Sequence, residues 1–378
     1  MAAILLLGVP APSGGCVGPP GAPIRDGLHP IAIRYSVEPL HLTSDSPADA
    51  MRRQLPSIRQ LGFNAVFVSH LADDDRPALV DAARANDLAV ILCDPVILHH
   101  VRSGADGGPA ACRQLLRERL SPDVLRPPVI LLYLGEAADA GTAARAAAVA
   151  EAVARDAPAL PLAFGIVPGV APSGNLLERA TPLIRVESLK PVTRSPRPGI
   201  VLIAISRRIQ DADSVAGQWL NLYHAGLSAG GTCGLVVDAY AEVPGRVRGL
   251  VDENDRLTVD RAASIKRLVQ RASRWGPLLH GMSPSPVTGA TTLDPDIRMT
   301  LFARDRRRHL LVWNSSTTRF LRTTVSLPDR IGEGIVGRAV EVPGEPGVPG
   351  GRVLTPRRGR LDLAVDLAPG DAALYELF

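Results

Sequence analysis

A chain of 378 residues is long enough for one large domain and one small one. Hydrophobic residues make up 46% and charged residues 21%, which is typical of a globular protein and excludes disorder. The net charge of +4 is diffuse, and the densest basic runs, residues 304–308 and 357–358, contain no aromatic residue. These runs indicate solvated loops, so no nucleic-acid partner is predicted.

The first 28 residues are predicted to lie outside the folded domains. Residues 2–9 are apolar and residues 10–23 are rich in Gly and Pro. Eight apolar residues are too few to span a bilayer, but they resemble the end of a signal peptide followed by a cleavage zone. We expect export to the periplasm or the extracellular space, with a disordered tail as the alternative. A poor lipoprotein cleavage box adds lipid attachment at Cys16 as a further possibility.

From residue 29 the pattern alternates between strands and helices. Strands are predicted at 31–35, 64–68, 88–93, 129–134, 160–166, 183–186, 200–205 and 234–237. Helical segments are predicted at 49–61, 77–86, 112–120, 141–155, 176–180, 214–229 and 260–279. Eight strands, mostly followed by helices, predict a (β/α)₈ TIM barrel over residues 29–285. No glycine-rich turn follows the first strand, so neither a dinucleotide nor another cofactor is predicted.

After residue 285 the pattern becomes short and rich in β-branched residues. Segments at 297–303, 309–314, 323–327, 339–342, 361–367 and 372–377 alternate in part, and Gly, Pro and Asp separate them. This pattern predicts a small all-β sandwich over residues 286–378. The four cysteines are scattered and the histidines show no chelating spacing, so no metal site is predicted.

The most informative segment is the fourth predicted strand. Residues 129–134 are six consecutive apolar or aromatic residues between two prolines and Gly135, and Glu136 follows. Such a run predicts a fully buried strand. Because chemistry in a (β/α)₈ barrel takes place at the C-terminal ends of the strands, Glu136 is the candidate general acid. The alternative is a loop glutamate that caps the next helix.

Other polar residues follow predicted strands in the same way. Glu187 and Asp238 end the sixth and eighth strands and are candidates for the second catalytic carboxylate, with a loop salt bridge or a helix cap as the alternative. Four further residues are predicted to bind substrate at this face: Tyr35, Asp94, Ser206 and Tyr240. Six of these side chains are expected to converge on one end of the barrel: Tyr35, Asp94, Glu136, Glu187, Ser206 and Asp238.

Four stretches resemble clan A glycoside hydrolases and their bacterial relatives: residues 60–66, 133–136, 225–235 and 310–315. The resemblance implies a barrel with a C-terminal sandwich, a carbohydrate substrate, and an acid/base glutamate at the end of the fourth strand. The chain departs from the family pattern at two points. Relatives often have Asp-Glu-Pro where this chain has Glu136-Ala137-Ala138, and the seventh strand ends without the nucleophilic acid, the nearest being Asp211.

Two functions therefore stay open at this point. The first is a glycosidase-like hydrolase that acts on an extracellular carbohydrate. The second is a catalytically inactive barrel that serves as a carbohydrate-binding or structural surface protein. Aromatic residues make up only 4% of the chain, and its three tryptophans lie at core spacings, which argues against a platform for stacking sugars. The oligomeric state is not predicted.

Overall fold

The computed structural model describes residues 29–36, 46–69, 71–103, 109–120, 127–166, 174–186, 195, 197–204, 212–238, 259–331, 334–344 and 351–378. Eight parallel strands close into a barrel in which each strand pairs with the next and β8 pairs with β1. The strands are β1 Ile31–Ser36, β2 Ala65–Ser69, β3 Ala89–Leu92, β4 Val129–Ala137, β5 Leu162–Ile166, β6 Thr181–Val186, β7 Ile200–Ala204 and β8 Gly234–Asp238. The predicted (β/α)₈ barrel is confirmed.

Helices surround the barrel and bury their apolar faces against it. They are α1 Pro47–Gln60, α2 Arg76–Ala85, α3 Pro95–Ser103, α4 Pro109–Arg119, α5 Ala140–Asp156, α6 Gly174–Arg179, α7 Ala212–Ser228 and α8 Val259–Leu279. The helix α3 was not among the predicted elements and is an insertion between β3 and α4. In the described part of the chain, none of the helices is both long and apolar enough to cross a membrane.

Side chains from alternate positions of the strands fill the barrel interior. Small residues on some strands lie opposite large ones on others, as with Ala32 and Ala163 against Phe67 and Tyr133. Side chains of both sizes pack together in this cluster, so the interior is a packed core and not a channel. The remaining strand positions face outward and pack under the helices. Ligands can therefore reach the barrel only at its ends.

The C-terminal part is a β-sandwich, as predicted. Its strands are β9 Ser283–Ser285, β10 Ile297–Arg304, β11 Arg307–Asn314, β12 Leu321–Pro328, β13 Arg330–Ile331, β14 Gly334–Ile335, β15 Ala339–Val342, β16 Val353–Leu354, β17 Arg360–Leu367 and β18 Ala372–Leu377. A six-stranded sheet, ordered β16-β15-β18-β11-β10-β9, packs through one apolar face against the β12–β17 pair. The short strand β9 already belongs to this sheet, although it precedes the predicted boundary at residue 286.

The other face of the six-stranded sheet packs against the barrel. Leu311, Trp313 and Leu374 belong to the same apolar cluster as residues of α7 and α8. Polar contacts add to this interface, because Asn221 Nδ2 donates to the Ser315 carbonyl over 3.2 Å and Arg271 forms a 2.6 Å ion pair with Asp371. The barrel-facing side of this sheet therefore shares an apolar core with α7 and α8, and the interior of the sandwich is a separate cluster.

The asparagine of the 310–315 stretch has a structural role. Asn314 is fully buried at the end of β11. Its Nδ2 group donates to the carbonyls of Leu367 and Ala368 over 3.2 and 3.1 Å, and its Oδ1 atom accepts from the Ser316 amide over 2.9 Å. Backbone groups that would otherwise be buried without partners are thereby satisfied. The asparagine thus joins β11 to the turn between β17 and β18.

Three buried histidines couple the stability of the fold to pH. Burial lowers the pKa of His29 to about 3 and the pKa of His309 to about 4. Burial, together with the Arg271 guanidinium, lowers the pKa of His224 well below its ordinary value. Unfolding exposes these rings, which then take up protons near pH 6.5. Below that pH the unfolded chain binds more protons than the folded one, so the free energy of unfolding falls as the pH is lowered.

Replacing His224 with Gln is expected to flatten this dependence. Between pH 6 and 5 each buried neutral histidine contributes a slope of about 1.4 kcal/mol per pH unit, and the variant should lose one such contribution. Urea titrations at several pH values measure the slope directly. The matched control is His99→Gln, because His99 is exposed on α3 and its removal should leave the slope unchanged. Equal slopes for wild type and His224→Gln would contradict the expectation.

Candidate functional site

A bulge near the end of β4 brings Glu136 to the barrel mouth. The strand was predicted to stop at Leu134, but it continues to Ala137. Its register with β5 shifts between Tyr133 and Glu136, and Gly135 takes a left-handed φ of 95°. Residues three apart in a regular strand face opposite sides, so the extra residue is what turns Tyr133 and Glu136 to the same side. The glycine is a bulge residue and not a strand stop.

Glycine is required at two positions around this bulge. A Cβ atom on Gly135 would lie 2.9 Å from Leu98 Cδ2, in addition to the strain of its φ angle. On the neighbouring strand, Gly165 pairs with Glu136, and a Cβ atom there would lie 2.7 Å from the Tyr133 hydroxyl and 2.9 Å from Glu136 Cγ. The absence of a side chain on Gly165 is what makes room for the Tyr133 and Glu136 side chains.

Glu136 lines a small pocket of about 80 Å³ at the C-terminal mouth of the barrel. We call it the mouth pocket. Its walls come from five strands, from Cys93 after β3, and from α3, which lies over one side. Its residues are Arg34, Phe67, Cys93, Leu98, Arg102, Tyr133, Glu136, Leu183, Arg185 and Leu202. The position agrees with the location of active sites in this fold.

Two ion pairs hold the carboxylates at the mouth. Arg185 donates to Glu136 Oε1 over 3.2 Å, and Arg34 donates to both oxygens of Asp238 over 3.3 and 3.4 Å. Arg34 Nε also donates to Ser69 Oγ over 3.4 Å. The paired side chains are between 21% and 44% exposed, so each pair stabilises the fold by about 1 kcal/mol at most. Their main effect is to orient the carboxylates.

The floor of the mouth pocket combines aromatic and sulfur groups. The rings of Phe67 and Tyr133 meet edge to face at 5.2 Å, and the Arg34 guanidinium lies 5.9 Å from the centre of the Phe67 ring. Burial, and to a smaller extent Glu136, raises the pKa of Tyr133. Burial also raises the pKa of the Cys93 thiol to about 12. Both groups therefore stay protonated at neutral pH, and Cys93 is not poised as a nucleophile.

Two predicted substrate-binding residues turn away from the mouth pocket. Tyr35 is 1% exposed, and its hydroxyl donates to Gln54 Oε1 of α1 over 2.6 Å. Asp94, also 1% exposed, accepts from the amides of Val96 and Ile97 over 2.9 Å and so caps α3. Tyr35 follows the pocket-lining Arg34 in β1, and consecutive strand residues face opposite sides. Asp94 lies beyond the end of β3, where its side chain turns to the start of α3. The side chains of Tyr35 and Asp94 therefore do not join Glu136 at the mouth pocket.

The remaining predicted site residues fall into two groups, those that the structure places at the mouth and those that lie outside the described residues. Of the candidate carboxylates, Glu136 lies in the mouth pocket and Asp238 reaches it through Arg34. Glu187, Ser206 and Tyr240 lie outside the described residues, as do Asp211 and Cys16.

Three arginines of the mouth pocket were not predicted. Arg34 and Arg185 each interrupt an apolar strand, in the segments Ile31–Ser36 and Thr181–Val186. A charged residue inside an otherwise apolar strand is rare unless it has a partner or a function, so this signal was present in the sequence. Arg102 carried no such signal, because it lies on the helix that the pattern did not reveal.

Comparison with known proteins supports the fold. The sequence matches no protein-family model and no curated protein. A glycoside hydrolase family 5 protein from Bacteroides vulgatus superposes with a TM-score of 0.59 and 11% identity, over 92% of this chain and 89% of that one. A gamma-CGTase from alkalophilic Bacillus clarkii gives 0.50 and 10% identity, over 92% and 70%. Another protein, described as a glycoside hydrolase, gives 0.50 and 11% identity, over 93% and 92%.

These similarities concern the fold. The chain forms a (β/α)₈ barrel followed by a β-sandwich, an architecture similar to those of the glycoside hydrolases named above. At such identities the likeness concerns the fold, and the activity has to be argued from the side chains at the mouth.

Proposed function

We propose that the protein acts on a carbohydrate at the mouth pocket, as a glycoside hydrolase-like enzyme that uses carboxylate acid/base chemistry. The observation that supports this most directly is the bulge at Gly135, which directs Glu136 into the mouth beside Tyr133. A strained glycine, a second glycine that makes room, and an arginine partner all serve the placement of this one carboxylate. Such convergence is typical of a positioned functional group.

In this mechanism Glu136 protonates the oxygen of the leaving sugar. It now accepts a hydrogen bond from Arg185, so substrate binding must replace that contact with one to the glycosidic oxygen. Asp238, held by Arg34, is the described candidate for the second carboxylate, and Glu187 is the alternative. The second group either attacks the sugar or activates a water molecule, depending on the distance between the two carboxyl groups.

A second candidate function is a barrel without catalysis that binds carbohydrate or serves as a structural surface protein. Ala137 occupies the position where the resemblance places the catalytic glutamate. In addition, both described carboxylates at the mouth are engaged by arginines. The apolar and glycine-rich start of the chain supports an extracellular location for either function, as does the prediction of export.

A substrate screen separates the two functions. Purified protein is tested against aryl glycosides and polysaccharides, and binding of the same compounds is measured in parallel by calorimetry. We expect turnover of at least one glycoside. Binding without turnover would favour the inactive barrel as a binding protein, and the absence of both would remove the carbohydrate proposal. N-terminal sequencing of the protein recovered from the native host tests export, which predicts a start after the small-residue segment.

A further inference from the structure

The mouth pocket is rich in positive charge for a carbohydrate site. Three guanidinium groups line it, on Arg34, Arg102 and Arg185. Two of them face acidic partners, Asp238 and Glu136. Within the described part of the chain, the guanidinium of Arg102 has neither a hydrogen bond nor an ion pair. The described groups at the mouth therefore carry one positive charge more than negative charge.

Arg102 sits on a helix that is fixed at both ends. At the start of α3, Asp94 accepts from two backbone amides and also pairs with Arg76 and Arg119. At its end, Arg145 of α5 donates through Nε to the carbonyl of Val101 over 2.7 Å and through Nη2 to the carbonyl of Arg102 over 2.9 Å. The backbone that carries Arg102 is therefore ordered before a ligand binds, and the entropic cost of binding falls on the side chain alone.

The same helix closes one side of the mouth pocket. Leu98 and Arg102 are four residues apart, so they share one face of α3, and both line the pocket. Leu98 packs over Gly135, and Arg102 extends to the rim beside Tyr133 and Glu136. The helix thus presents to the mouth a cation that pairs with none of the described residues.

The size and lining of the mouth pocket suit a small anionic group. A volume of about 80 Å³ accommodates the carboxylate or the sulfate of a bound sugar. Phe67, Leu183 and Leu202 exclude water from its lower part, where hydrogen bonds between charged groups become stronger. The planar donors of arginine match the oxygens of carboxylate and sulfate. The Tyr133 hydroxyl, which stays protonated, is a further donor in the same pocket.

Neutral sugars find fewer of their usual contacts here. Carbohydrate sites commonly offer an open aromatic face, but the Phe67 ring is covered by Arg34 on one side and by the edge of Tyr133. The described lining therefore favours recognition by charge over recognition by stacking.

We propose that the carbohydrate bound by this protein is anionic, carrying a uronate carboxylate or a sulfate ester, and that Arg102 and Arg34 bind that group in the mouth pocket. This inference rests on the proposed carbohydrate function and specifies its substrate class. Glu136 and Asp238 do not oppose it strongly, because each is already neutralised by its arginine.

Matched glycan pairs test the charge directly. In the uronate arm, binding of oligogalacturonate is compared with binding of its methyl ester, which keeps the sugar and removes the charge. In the sulfate arm, a sulfated galactan oligosaccharide is compared with its desulfated form. We expect wild type to bind the charged member of one pair about tenfold or more tightly, the range for a hydrogen bond to a charged group. The arm that shows the preference identifies the anion.

The variant Arg102→Ala assigns the preference to the mouth pocket. It should lose most of the preference for the charged member, measured as the ratio of the two dissociation constants within each pair. The matched control is Arg155→Ala, because Arg155 lies at the end of α5, at the opposite end of the barrel, and pairs with Glu151 on the surface. Arg102 is exposed, so both variants should fold as wild type does, which circular dichroism verifies.

Each contrary result has a distinct meaning. If both members of each pair bind equally well, the carbohydrate function stands and the inferred substrate class is wrong. If Arg102→Ala keeps the full preference, the anion binds elsewhere and the assignment to the mouth pocket is wrong. If no member of either pair binds, the inferred substrate class is wrong, and the substrate screen decides separately whether the carbohydrate function stands.

Discussion

Replacing Glu136 with Gln is expected to lower the turnover of the carbohydrate substrate about 10²–10⁴-fold, the usual contribution of a positioned acid/base group. The amide has nearly the same shape and can still fill the space beside Gly165, but it cannot donate a carboxyl proton. The ion pair with Arg185 is more than one-third exposed, so its loss should change the free energy of unfolding by less than about 1 kcal/mol. The variant should therefore lose activity while it keeps nearly all of its stability.

The control for this prediction is Glu151→Gln. Glu151 is also paired with an arginine, Arg155, but it lies on the outer surface of α5 and should have no effect on turnover. Steady-state kinetics with the glycoside found in the screen measures both variants, and chemical denaturation measures their stability. Wild-type turnover by Glu136→Gln would transfer the acid role to another carboxylate. Binding without turnover in both proteins would favour the inactive barrel.

Replacing Asp94 with Ala should destabilise the protein by about 3–5 kcal/mol, the range for removing one partner of a buried ion pair. The Asp94 side chain is 1% exposed, and its partners Arg76 and Arg119 are 12% and 14% exposed. Without the carboxylate, the two guanidinium groups lie close together, and among the described residues only Asp73 is left to neutralise them. The variant also loses the cap of α3, whose first amides would then lack an acceptor.

Urea denaturation of Asp94→Ala measures this loss, and Asp81→Ala is the matched control. Asp81 pairs with Arg84 on the exposed side of α2, with its side chain 75% exposed, so its removal should cost less than about 1 kcal/mol. Asp94 does not line the mouth pocket, but the helix that it caps carries Leu98 and Arg102, which do. Asp94→Ala should therefore also weaken ligand binding at the mouth. A stability equal to that of the Asp81 variant would show that the buried network contributes little.

Asp94 and Tyr35 show why the position of a residue in the sequence is not sufficient to assign its role. Both were placed correctly near the C-terminal ends of strands. Whether such a residue faces the mouth depends on the side of the strand from which its side chain extends, and this alternates with every residue. Tyr35 follows the pocket-lining Arg34 and turns to α1, whereas Asp94 lies beyond the end of β3 and turns to the start of α3.

Much of the architecture follows from local pattern alone. Short apolar runs separated by amphipathic helices determined the eight-stranded barrel, because parallel strands buried on both faces need apolar residues throughout. Alternation in the last part of the chain determined the sandwich, as in β17, where Leu361, Leu363 and Val365 face inward and the intervening residues face solvent. The apolar fourth strand also pointed to Glu136. These signals are local and need no knowledge of which strands pair.

Only the tertiary structure decided how the mouth is built. The bulge at Gly135 depends on pairing with β5 and on the contact with Leu98, neither of which is encoded near Glu136 in the chain. The ion pairs of Arg34 with Asp238 and of Arg185 with Glu136 join residues that are 204 and 49 positions apart. Barrel closure brings the first pair together, because β8 returns to pair with β1, and the second pair spans from β4 to β6 across β5. The charge of the mouth pocket is therefore a property of the closed barrel and not of any single segment.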